Sequence, residues 1–260
     1  MIVCIFCTKT QKMPQGLEVK NMRMRKKKHA DERLAVCSEY IYSHEGEPLA
    51  NPAEEIFGKA DAPVYLEIGA GKGGFAVGTV NANPDAVYLA MERVTDCVVL
   101  AAERAKRESD GGRLRFIIDT ADNLTRILAP GTVDRIYLNF SDPWSKKGYA
   151  KRRLTHRRYL AVYLNLLREG GRLTFKTDNV GLFDFSLEEV EVLGIKLDAM
   201  TRDLHASPYN EGNVVTEYEA AFSAQGVKIN MLSFVKPEGF EIEIPADLAK
   251  DRVEYRPTEE

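Results

Sequence analysis

Seven short apolar segments alternate with helical patterns from residue 62 onward, and this alternation constrains the fold of the 260-residue chain more than any other feature. It is typical of a mainly parallel sheet covered by helices on both faces, with ligands bound beyond the carboxyl ends of the strands. The predicted strands are Val64–Ile68, Ala86–Met91, Leu114–Ile118, Val133–Phe140, Arg172–Lys176, Ile195–Thr201 and Lys228–Val235. The predicted helices are residues 74–81, Thr95–Glu108 with Thr95 as its N-cap, Asp122–Leu128, Thr155–Arg168, Leu182–Val192 and a helix from Glu217.

The composition, 44% hydrophobic and 29% charged, is that of a soluble globular protein. No run approaches 18 consecutive apolar residues, which excludes a membrane-spanning helix, and Met1–Cys7 is too short for the core of a signal peptide. Cys4 and Cys7 form a C-x-x-C pair, but a zinc site needs four ligands and no second close pair follows. With only Cys37 and Cys97 in addition, a disulfide framework is excluded. We therefore expect a cytoplasmic protein without a bound metal.

Basic residues are concentrated in two windows. Residues 20–33 hold seven basic and two acidic residues, and residues 146–158 hold seven basic residues and no acid. The rest of the chain holds 22 basic and 37 acidic residues. Two solvated faces are one interpretation, but this segregation favours a protein that binds a polyanion, in particular a nucleic acid, at one surface and repels it elsewhere.

Gly69, Gly71 and Gly73 form a glycine cluster between the first predicted strand and the first predicted helix. Glycine permits positive φ and a close approach of a ligand to the backbone. The cluster alone fits an NAD-type loop equally well. Glu67 precedes it at the end of the strand, however, where a carboxylate repels a pyrophosphate and attracts a cationic or amino-bearing ligand.

Two further carboxylates, Glu92 and Asp119, follow the second and third predicted strands. S-adenosylmethionine fits this layout, because it carries a sulfonium, an ammonium and a ribose and has no phosphate. We assign Glu92 to the ribose hydroxyls, since a carboxylate accepts from two donors at once, Asp119 to the adenine amino group, and Glu67 to the methionine end or its water shell. Helix capping or a solvated rim is the alternative for each acid, and three strand-end acids beside one glycine loop disfavour it.

The segment after the fourth predicted strand reads D-P-W-x-K-K-x-x-x-K-R-R from Asp142 to Arg153. With the glycine loop, Phe175-Lys176-Thr177-Asp178-Asn179 and Thr216-Glu217-Tyr218-Glu219, it resembles the bacterial tRNA (guanine-N7-)-methyltransferases over about Arg23 to Lys236. The resemblance is specific for the substrate, because methyltransferases in general share only the glycine loop.

The resemblance implies a role for each block. The implied S-adenosylmethionine ligands are Glu67, Glu92, Asp119 and Asp142. The implied substrate contacts are Lys146, Asp178, Thr216, Glu217, Tyr218 and Glu219, and the implied RNA-interacting stretch is Gly148, Tyr149, Ala150, Lys151, Arg152 and Arg153. The implied fold is the α/β class I, Rossmann-like methyltransferase fold, a doubly wound sheet of seven strands with the last strand antiparallel.

The implied reaction transfers a methyl group from S-adenosylmethionine to N7 of a guanosine in tRNA, in the variable loop, and leaves S-adenosylhomocysteine. Guanine N7 has a free in-plane lone pair, so catalysis needs no base and consists mostly of alignment. Positive charge reaches the purine during transfer, and we place Asp142, the predicted catalytic residue, and Asp178 beside it. Turn capping is the alternative for both. Trp144, the only tryptophan, is predicted either to stack on a purine or to pack in the core.

The basic residues Lys146, Lys147, Lys151, Arg152 and Arg153 are expected to neutralise RNA phosphates, whereas Arg157 and Arg158 fit a solvated helix start. Thr216 and Glu219 have capping-box spacing, which structure alone explains. Ser145 and His29 depart from the family pattern, which often has proline and an aromatic residue there. A methyltransferase of a protein or small molecule, and a non-catalytic RNA-binding protein, remain alternatives.

We expect four segments along the chain. Residues 1–22 form a disordered N-terminal extension, 23–60 a basic arm, 61–236 the methyltransferase domain and 237–260 an acidic appendage to which no role is assigned. Translation is expected to start at Met22 or Met24. We expect tRNA as the partner, no membrane association and no obligate protein partner.

Overall fold

The computed structural model describes residues 28–109 and 112–249. The expectations for residues 1–22, for the Cys4 and Cys7 pair, for most of the first basic window and for the last part of the acidic appendage lie outside these residues. The strands are β1 (Val64–Ile68), β2 (Val87–Met91), β3 (Leu114–Ile117), β4 (Val133–Asn139), β5 (Leu167–Thr177), β6 (Leu197–Thr201) and β7 (Asn230–Val235). The α-helices are α1 (Ala30–Ala35), α2 (Pro52–Phe57), α3 (Gly74–Ala82), α4 (Thr95–Glu108), α5 (Leu124–Ile127), α6 (Arg157–Leu166), α7 (Val180–Val192), α8 (Glu217–Ser223) and α9 (Ala246–Ala249). Short 3₁₀ turns cover Ser38–Tyr40, Ala121–Asn123, Lys147–Arg152, Leu204–Ala206 and Pro208–Asn210.

The seven strands form one sheet in the order β3-β2-β1-β4-β5-β7-β6. Strands β1 to β5 pair in parallel, and β7 runs antiparallel to both of its neighbours. The chain thus winds from β1 out to β3, returns to β4 beside β1, and ends with β7 inserted between β5 and β6. This arrangement confirms the predicted class I methyltransferase fold, including the antiparallel last strand.

The apolar side chains of each strand alternate between the two faces of the sheet, because successive residues of a strand point in opposite directions. On one face, Leu66 packs in a core that includes buried residues of α5, α6 and α7. On the other face, the neighbouring Tyr65 packs in a core that includes buried residues of α3 and α4. The sheet is therefore covered on both sides, as predicted, and only its ends are free to bind ligands.

The predicted N-cap of α4 and the predicted end of α6 are wrong. Thr95 is the first residue of α4 rather than its N-cap; the cap is Val94, whose N–H donates to the Glu92 carboxylate. The helix predicted to reach Arg168 ends at Leu166, and β5 starts at the next residue. A left-handed Gly170 and a register shift of the β4–β5 pairing let this early part of β5 join the sheet before the regular pairing begins.

The segments on either side of the predicted domain also pack against it. Arg33 of α1 makes a bidentate ion pair with Glu103 of α4, with distances of 2.7 and 2.8 Å. Leu248 of α9 is buried in the core, and its carbonyl accepts a hydrogen bond from Thr125 Oγ1. Among the described residues, none of the helices is long and apolar enough to cross a membrane.

Candidate active site

The predicted site residues gather at the carboxyl ends of the parallel strands. In the strand order, β1 and β4 are neighbours although β2 and β3 lie between them in the sequence. The chain therefore leaves these two strands toward opposite sides, and the crevice that opens between the two connections is where ligands bind in doubly wound sheets. The glycine loop follows β1 and the D-P-W segment follows β4, so both predicted motifs border this crevice.

The glycine loop uses its glycines for two purposes. Gly69, Gly71 and Gly73 have φ angles of 84°, 55° and 73°, which favour glycine over any residue with a side chain. A Cβ atom on Gly73 would lie 2.8 Å from Cβ of Ala101, so this glycine also lets α3 and α4 pack closely. A Cβ on Gly71 would meet nothing within 4 Å, so the backbone there faces open space.

Glu92 fixes the shape of this loop. One of its carboxylate oxygens accepts from the N–H of Gly71 and the other from the N–H of Val94, both at 2.9 Å. Burial raises the pKa of Glu92, while these backbone donors and the nearby Arg93 oppose that rise. A carboxylate has about four acceptor positions, so Glu92 can hold the loop and still accept from a ligand hydroxyl.

Glu67 lies beneath the glycine loop, 2% exposed, and lines a cavity together with Gly69, Gly71 and Phe75. Its carboxylate accepts from Asn139 Nδ2 at 2.9 Å. Burial raises the pKa of Glu67 to about 7, and the Asn139 donor and the Lys176 ammonium limit this rise. The carboxyl is therefore poised to change charge near neutral pH.

Asp119 follows β3, the strand beside β2. One of its oxygens accepts from the N–H of Thr120 and from Asn123 Nδ2, both at 2.7 Å. Asp119 lines a second cavity, which the segment from Ile41 to Gly46 closes on its far side. The other oxygen of Asp119 is thus the one that can receive a ligand donor.

The loop after β4 carries backbone strain and incompletely bonded polar atoms. Phe140 and Trp144 have φ angles of 52° and 40°, in the left-handed region that non-glycine residues rarely adopt. Within the described part of the chain, Asn139 Oδ1, Ser141 Oγ and Asp142 Oδ1 are buried without a hydrogen-bond partner. Such strain and such orphaned atoms concentrate where a loop is shaped for a ligand.

Asp142 lies at the centre of this loop. Its Oδ2 is 3.7 Å from a guanidinium nitrogen of Arg93, a residue next to Glu92. Burial raises the pKa of Asp142 to about 6, an effect that Arg93 opposes and Glu92 reinforces. A carboxylate with one ion-paired and one partner-free oxygen can accept from a ligand, while the nearby Arg93 favours its ionised form.

Asp178 and the start of α8 form the opposite wall. The hydroxyl of Tyr218 donates to Asp178 Oδ2 at 3.4 Å, and burial raises the pKa of Asp178. The Tyr218 ring lies 4.9 Å from that of Phe140. Thr216, Glu217 and Tyr218 line the same cavity as the glycine loop. Three of the four predicted Thr216–Glu219 contacts therefore border the crevice.

Glu219 does not border it. Its side chain is fully buried and accepts from Lys176 Nζ at 2.7 Å and from Asn213 Nδ2 at 2.8 Å. Although burial alone would raise its pKa, Lys176 and the other donors lower the pKa of Glu219. The predicted capping box with Thr216 is present. The structure thus places Glu219 behind the wall of the site.

The basic segment after Asp142 is divided into an exposed part and an internal part. The exposed basic side chains are Lys146, Lys147, Lys151 and Arg152. The Arg152 guanidinium lies 5.1 Å from the ring centroid of Trp144 and 4.8 Å from that of Tyr149, so an indole, a phenol and a cation meet at the surface. Gly148 and Ala150 complete the turn that carries them.

Arg153 belongs to the internal part. Its Nε donates to the carbonyl of Pro143 at 2.9 Å, and its Nη2 donates to that of Trp144 at 3.1 Å. This placement favours a structural role over the expected phosphate contact. Arg157 is exposed, as expected for a solvated helix start, and it also makes a bidentate ion pair with Glu189 of α7, at 2.9 Å for both bonds.

Comparisons with known proteins identify the family of this chain. A family model described as "Putative methyltransferase" matches residues 61–232. The tRNA (guanine-N(7)-)-methyltransferase of Lachnoclostridium phytofermentans is 43% identical over 211 residues, which span 81% of this chain and 97% of that protein. The chain belongs to the tRNA (guanine-N7-)-methyltransferase family.

Solved structures of methyltransferases share the fold of this family member. An antibiotic-related methyltransferase superposes with a TM-score of 0.51 at 16% identity and covers 73% of this chain and 95% of its own. The crystal structure of the 16S rRNA methyltransferase KamB superposes with a TM-score of 0.53, also at 16% identity, and covers 75% of this chain and 97% of its own.

Sequence reasoning missed four contributors to the site of this methyltransferase. Arg93 pairs with Asp142, Asn139 donates to Glu67, Ser141 carries an orphaned hydroxyl, and Lys176 pairs with Glu219. Each lies within three residues of a strand end that sequence reasoning had already identified. A lysine inside the apolar run of β5 was a usable signal, because lysine is almost never fully buried without a partner.

Proposed function

We propose that this methyltransferase transfers a methyl group from S-adenosylmethionine to N7 of a guanosine in tRNA, in the variable loop. The observation that carries the proposal is the loop after β4. Within twelve residues it joins a buried carboxylate with a partner-free oxygen, Asp142, to an exposed cationic and aromatic surface around Arg152. A small cationic donor and a polyanionic substrate would therefore meet at one loop. The relative's name supplies the nucleoside and the RNA class.

The residues at the crevice fit S-adenosylmethionine. The open backbone at Gly71 leaves room for a ligand against the loop. The acidic side chains along the strand ends suit a ligand with a sulfonium and an ammonium, and the orphaned oxygen of Asp142 lacks a donor that a ligand would provide. When bound, S-adenosylmethionine supplies an electrophilic methyl group on a cationic sulfur.

Each acid has a proposed partner on this ligand. Glu92 accepts from the ribose hydroxyls with its remaining lone pairs, and Asp119 accepts from the adenine amino group with its unbonded oxygen. Glu67, in its ionised form, attracts the amino group of the methionine end. These assignments require no rearrangement of the bonds that already hold the three side chains in place.

Asp142 and Asp178 are the proposed contacts to the guanine. N7 offers a lone pair and carries no proton, so these carboxylates orient the base and do not act as bases. They accept from N1–H and the exocyclic amine, whose positive charge grows as N7 is methylated, and this attraction lowers the barrier. The positive charge passes from the sulfonium to the purine and stays on the methylated base, so the charge preference belongs to the transition state and the product.

The exposed cations Lys146, Lys147, Lys151 and Arg152 contact RNA phosphates in this proposal. Trp144 and Tyr149, which both contact the Arg152 guanidinium, offer rings on which a base can stack. Phosphate contacts position the RNA without reading its sequence, so the guanine pocket must select the base.

The proposal is tested by incubating the protein with methyl-labelled S-adenosylmethionine and unmodified bulk tRNA, followed by nucleoside analysis. We expect label in 7-methylguanosine, and sequencing of the labelled tRNA is expected to place it in the variable loop. Label confined to another nucleoside or to protein would refute the proposal. Calorimetry then separates enzyme from RNA-binding protein: we expect S-adenosylhomocysteine to bind saturably, whereas a non-catalytic protein would give no heat at millimolar ligand.

A further inference from the structure

We propose that residues 213–218 form a strap whose position sets the wall of the guanine pocket, and that Gly78, Lys176 and Glu219 are its positioning residues. The inference rests on the proposed function, because it assigns these residues to the same site. The strap runs from Asn213 through the first turn of α8, where Thr216, Glu217 and Tyr218 line the crevice opposite Glu67.

The first anchor lies underneath the strap. Lys176 Nζ donates to Glu219 Oε2 at 2.7 Å, to Asn213 Oδ1 at 3.0 Å and to the carbonyl of Val214 at 3.1 Å. The ammonium therefore binds both ends of the strap at once. Lys176 is 3% exposed and Glu219 is fully buried. Packing alone does not require a buried charged pair, because apolar residues of the same volume stabilise a core equally well.

The second anchor is a flat face of α3. Gly74 and Gly78 lie four residues apart, so they share one side of that helix. A Cβ on Gly78 would lie 2.7 Å from Cγ1 of Val214, and a Cβ on Gly74 would lie 2.6 Å from Nη1 of Arg104, which forms an ion pair with Glu217. Gly78 thus leaves room for Val214 where the strap crosses this face.

The two anchors leave the strap one position. Val214 packs on α3, Glu217 pairs with Arg104 of α4, and Lys176 ties the strap to β5. The side chains that face the crevice, Thr216 and Tyr218, are thereby set relative to Asp178 and Phe140. A displacement of about 1 Å of such a wall is enough to lower the rate of an alignment-limited reaction about a hundredfold.

The sharpest test moves the strap without changing a charge. Gly78→Ala adds one methyl against Val214, and we expect kcat/KM for tRNA to fall at least tenfold while the affinity for S-adenosylhomocysteine, measured by calorimetry, stays within threefold of wild type. The double variant Gly78→Ala with Val214→Ala removes the contact and is expected to recover kcat/KM to within threefold. Gly181→Ala is the matched control, because its Cβ would meet only Asn179 Oδ1 at an ordinary 3.5 Å.

A second experiment removes the buried charge of Glu219. Glu219→Gln is expected to lower kcat/KM for tRNA at least tenfold, whereas Asp184→Asn, the same chemical change at an exposed ion pair with Arg202, is expected to change nothing. Cleavage by Glu-C protease after Glu211 or Glu217, followed by mass spectrometry, reports the strap directly. We expect faster cleavage there in Gly78→Ala and Glu219→Gln than in either control.

The outcomes separate the two proposals. A wild-type protein that makes no 7-methylguanosine overturns the proposed function, and the protease comparison then still decides whether the anchors hold the strap. If the wild type is active and Gly78→Ala behaves like Gly181→Ala, or if Val214→Ala fails to restore it, the positioning role is wrong.

Discussion

Glu67→Gln is expected to abolish a pH dependence of ligand binding that the geometry assigns to one buried carboxyl. Glu67 is nearly inaccessible to water, and its pKa of about 7 means that it is half protonated at neutral pH. In the proposed complex it must be ionised to attract the ligand's amino group. The affinity for the ligand should therefore rise with pH. Titration of the ligand's own amino group would have the opposite effect, because that group loses its positive charge as the pH rises.

The magnitude follows from the ionised fraction. With a pKa of about 7, roughly a tenth of Glu67 is ionised at pH 6 and roughly nine tenths at pH 8, so the affinity is expected to rise about ninefold over this range. At pH 7 binding should release about half a proton. Glutamine in its place keeps the acceptor for Asn139 Nδ2 but cannot ionise.

The assay is calorimetric titration of S-adenosylhomocysteine, which retains the amino group, from pH 6 to 8 in two buffers of different ionisation enthalpy. Wild type should show the ninefold rise and the proton release, and Glu67→Gln should show neither. An affinity that is flat with pH in the wild type, or an equal slope in the variant, would refute the role of Glu67.

The same carboxyl makes an independent prediction about stability. Its folded-state pKa is raised from 4.5 to about 7, so the protonated form is favoured by folding. The stabilising contribution of the Glu67 carboxyl is fully present below pH 4.5 and is lost as the pH rises through 7. The free energy of unfolding falls by about 3 kcal/mol as a result. Urea denaturation should therefore show Glu67→Gln gaining stability over wild type between pH 5 and 8.

Three further predictions concern the surrounding residues. Asp142→Asn should lower single-turnover methylation of tRNA about a hundredfold, and the wild-type rate should decline as the pH falls through about 6, where this carboxyl is protonated. Lys151→Ala with Arg152→Ala should weaken tRNA binding and reduce the slope of log affinity against log salt by about 2. Arg153→Ala should instead lower turnover and leave that slope unchanged, because the Arg153 guanidinium donates to loop carbonyls. Gly73→Ala should lower the free energy of unfolding in urea by about 2 to 4 kcal/mol, because φ is 73° and the new Cβ would lie 2.8 Å from that of Ala101.

Much of the fold is readable from the sequence because its signals are local. The run Val64–Ile68 before a glycine cluster predicts β1, and the strand begins and ends at these residues. The capping box at Thr216 predicts the start of α8 for the same reason. The end of α6 was predicted wrongly. The local sequence at Leu167 and Arg168 does not decide between helix and strand, and pairing of Leu167 with β4 places it in β5.

The site is less readable, because burial and pairing depend on contacts between distant segments. Lys176 and Glu219 lie 43 residues apart, and only the sheet and α8 bring them together. The motif around Glu219 indicates substrate contact, yet the side chain points away from the crevice. Likewise, one basic run divides into exposed and internal arginines according to which carbonyls are near, as Arg152 and Arg153 show.

The loop after β4 explains why its motif has the composition it has. Pro143 restricts the preceding Asp142 to extended conformations, and Trp144 then adopts the left-handed conformation. Arg153 stabilises this stretch by donating to the carbonyls of Pro143 and Trp144. The lysines and Arg152, which lie between Trp144 and Arg153, are exposed. Strain at Phe140 and Trp144 is thus the energetic consequence of aiming a carboxylate inward and cations outward from a single short loop.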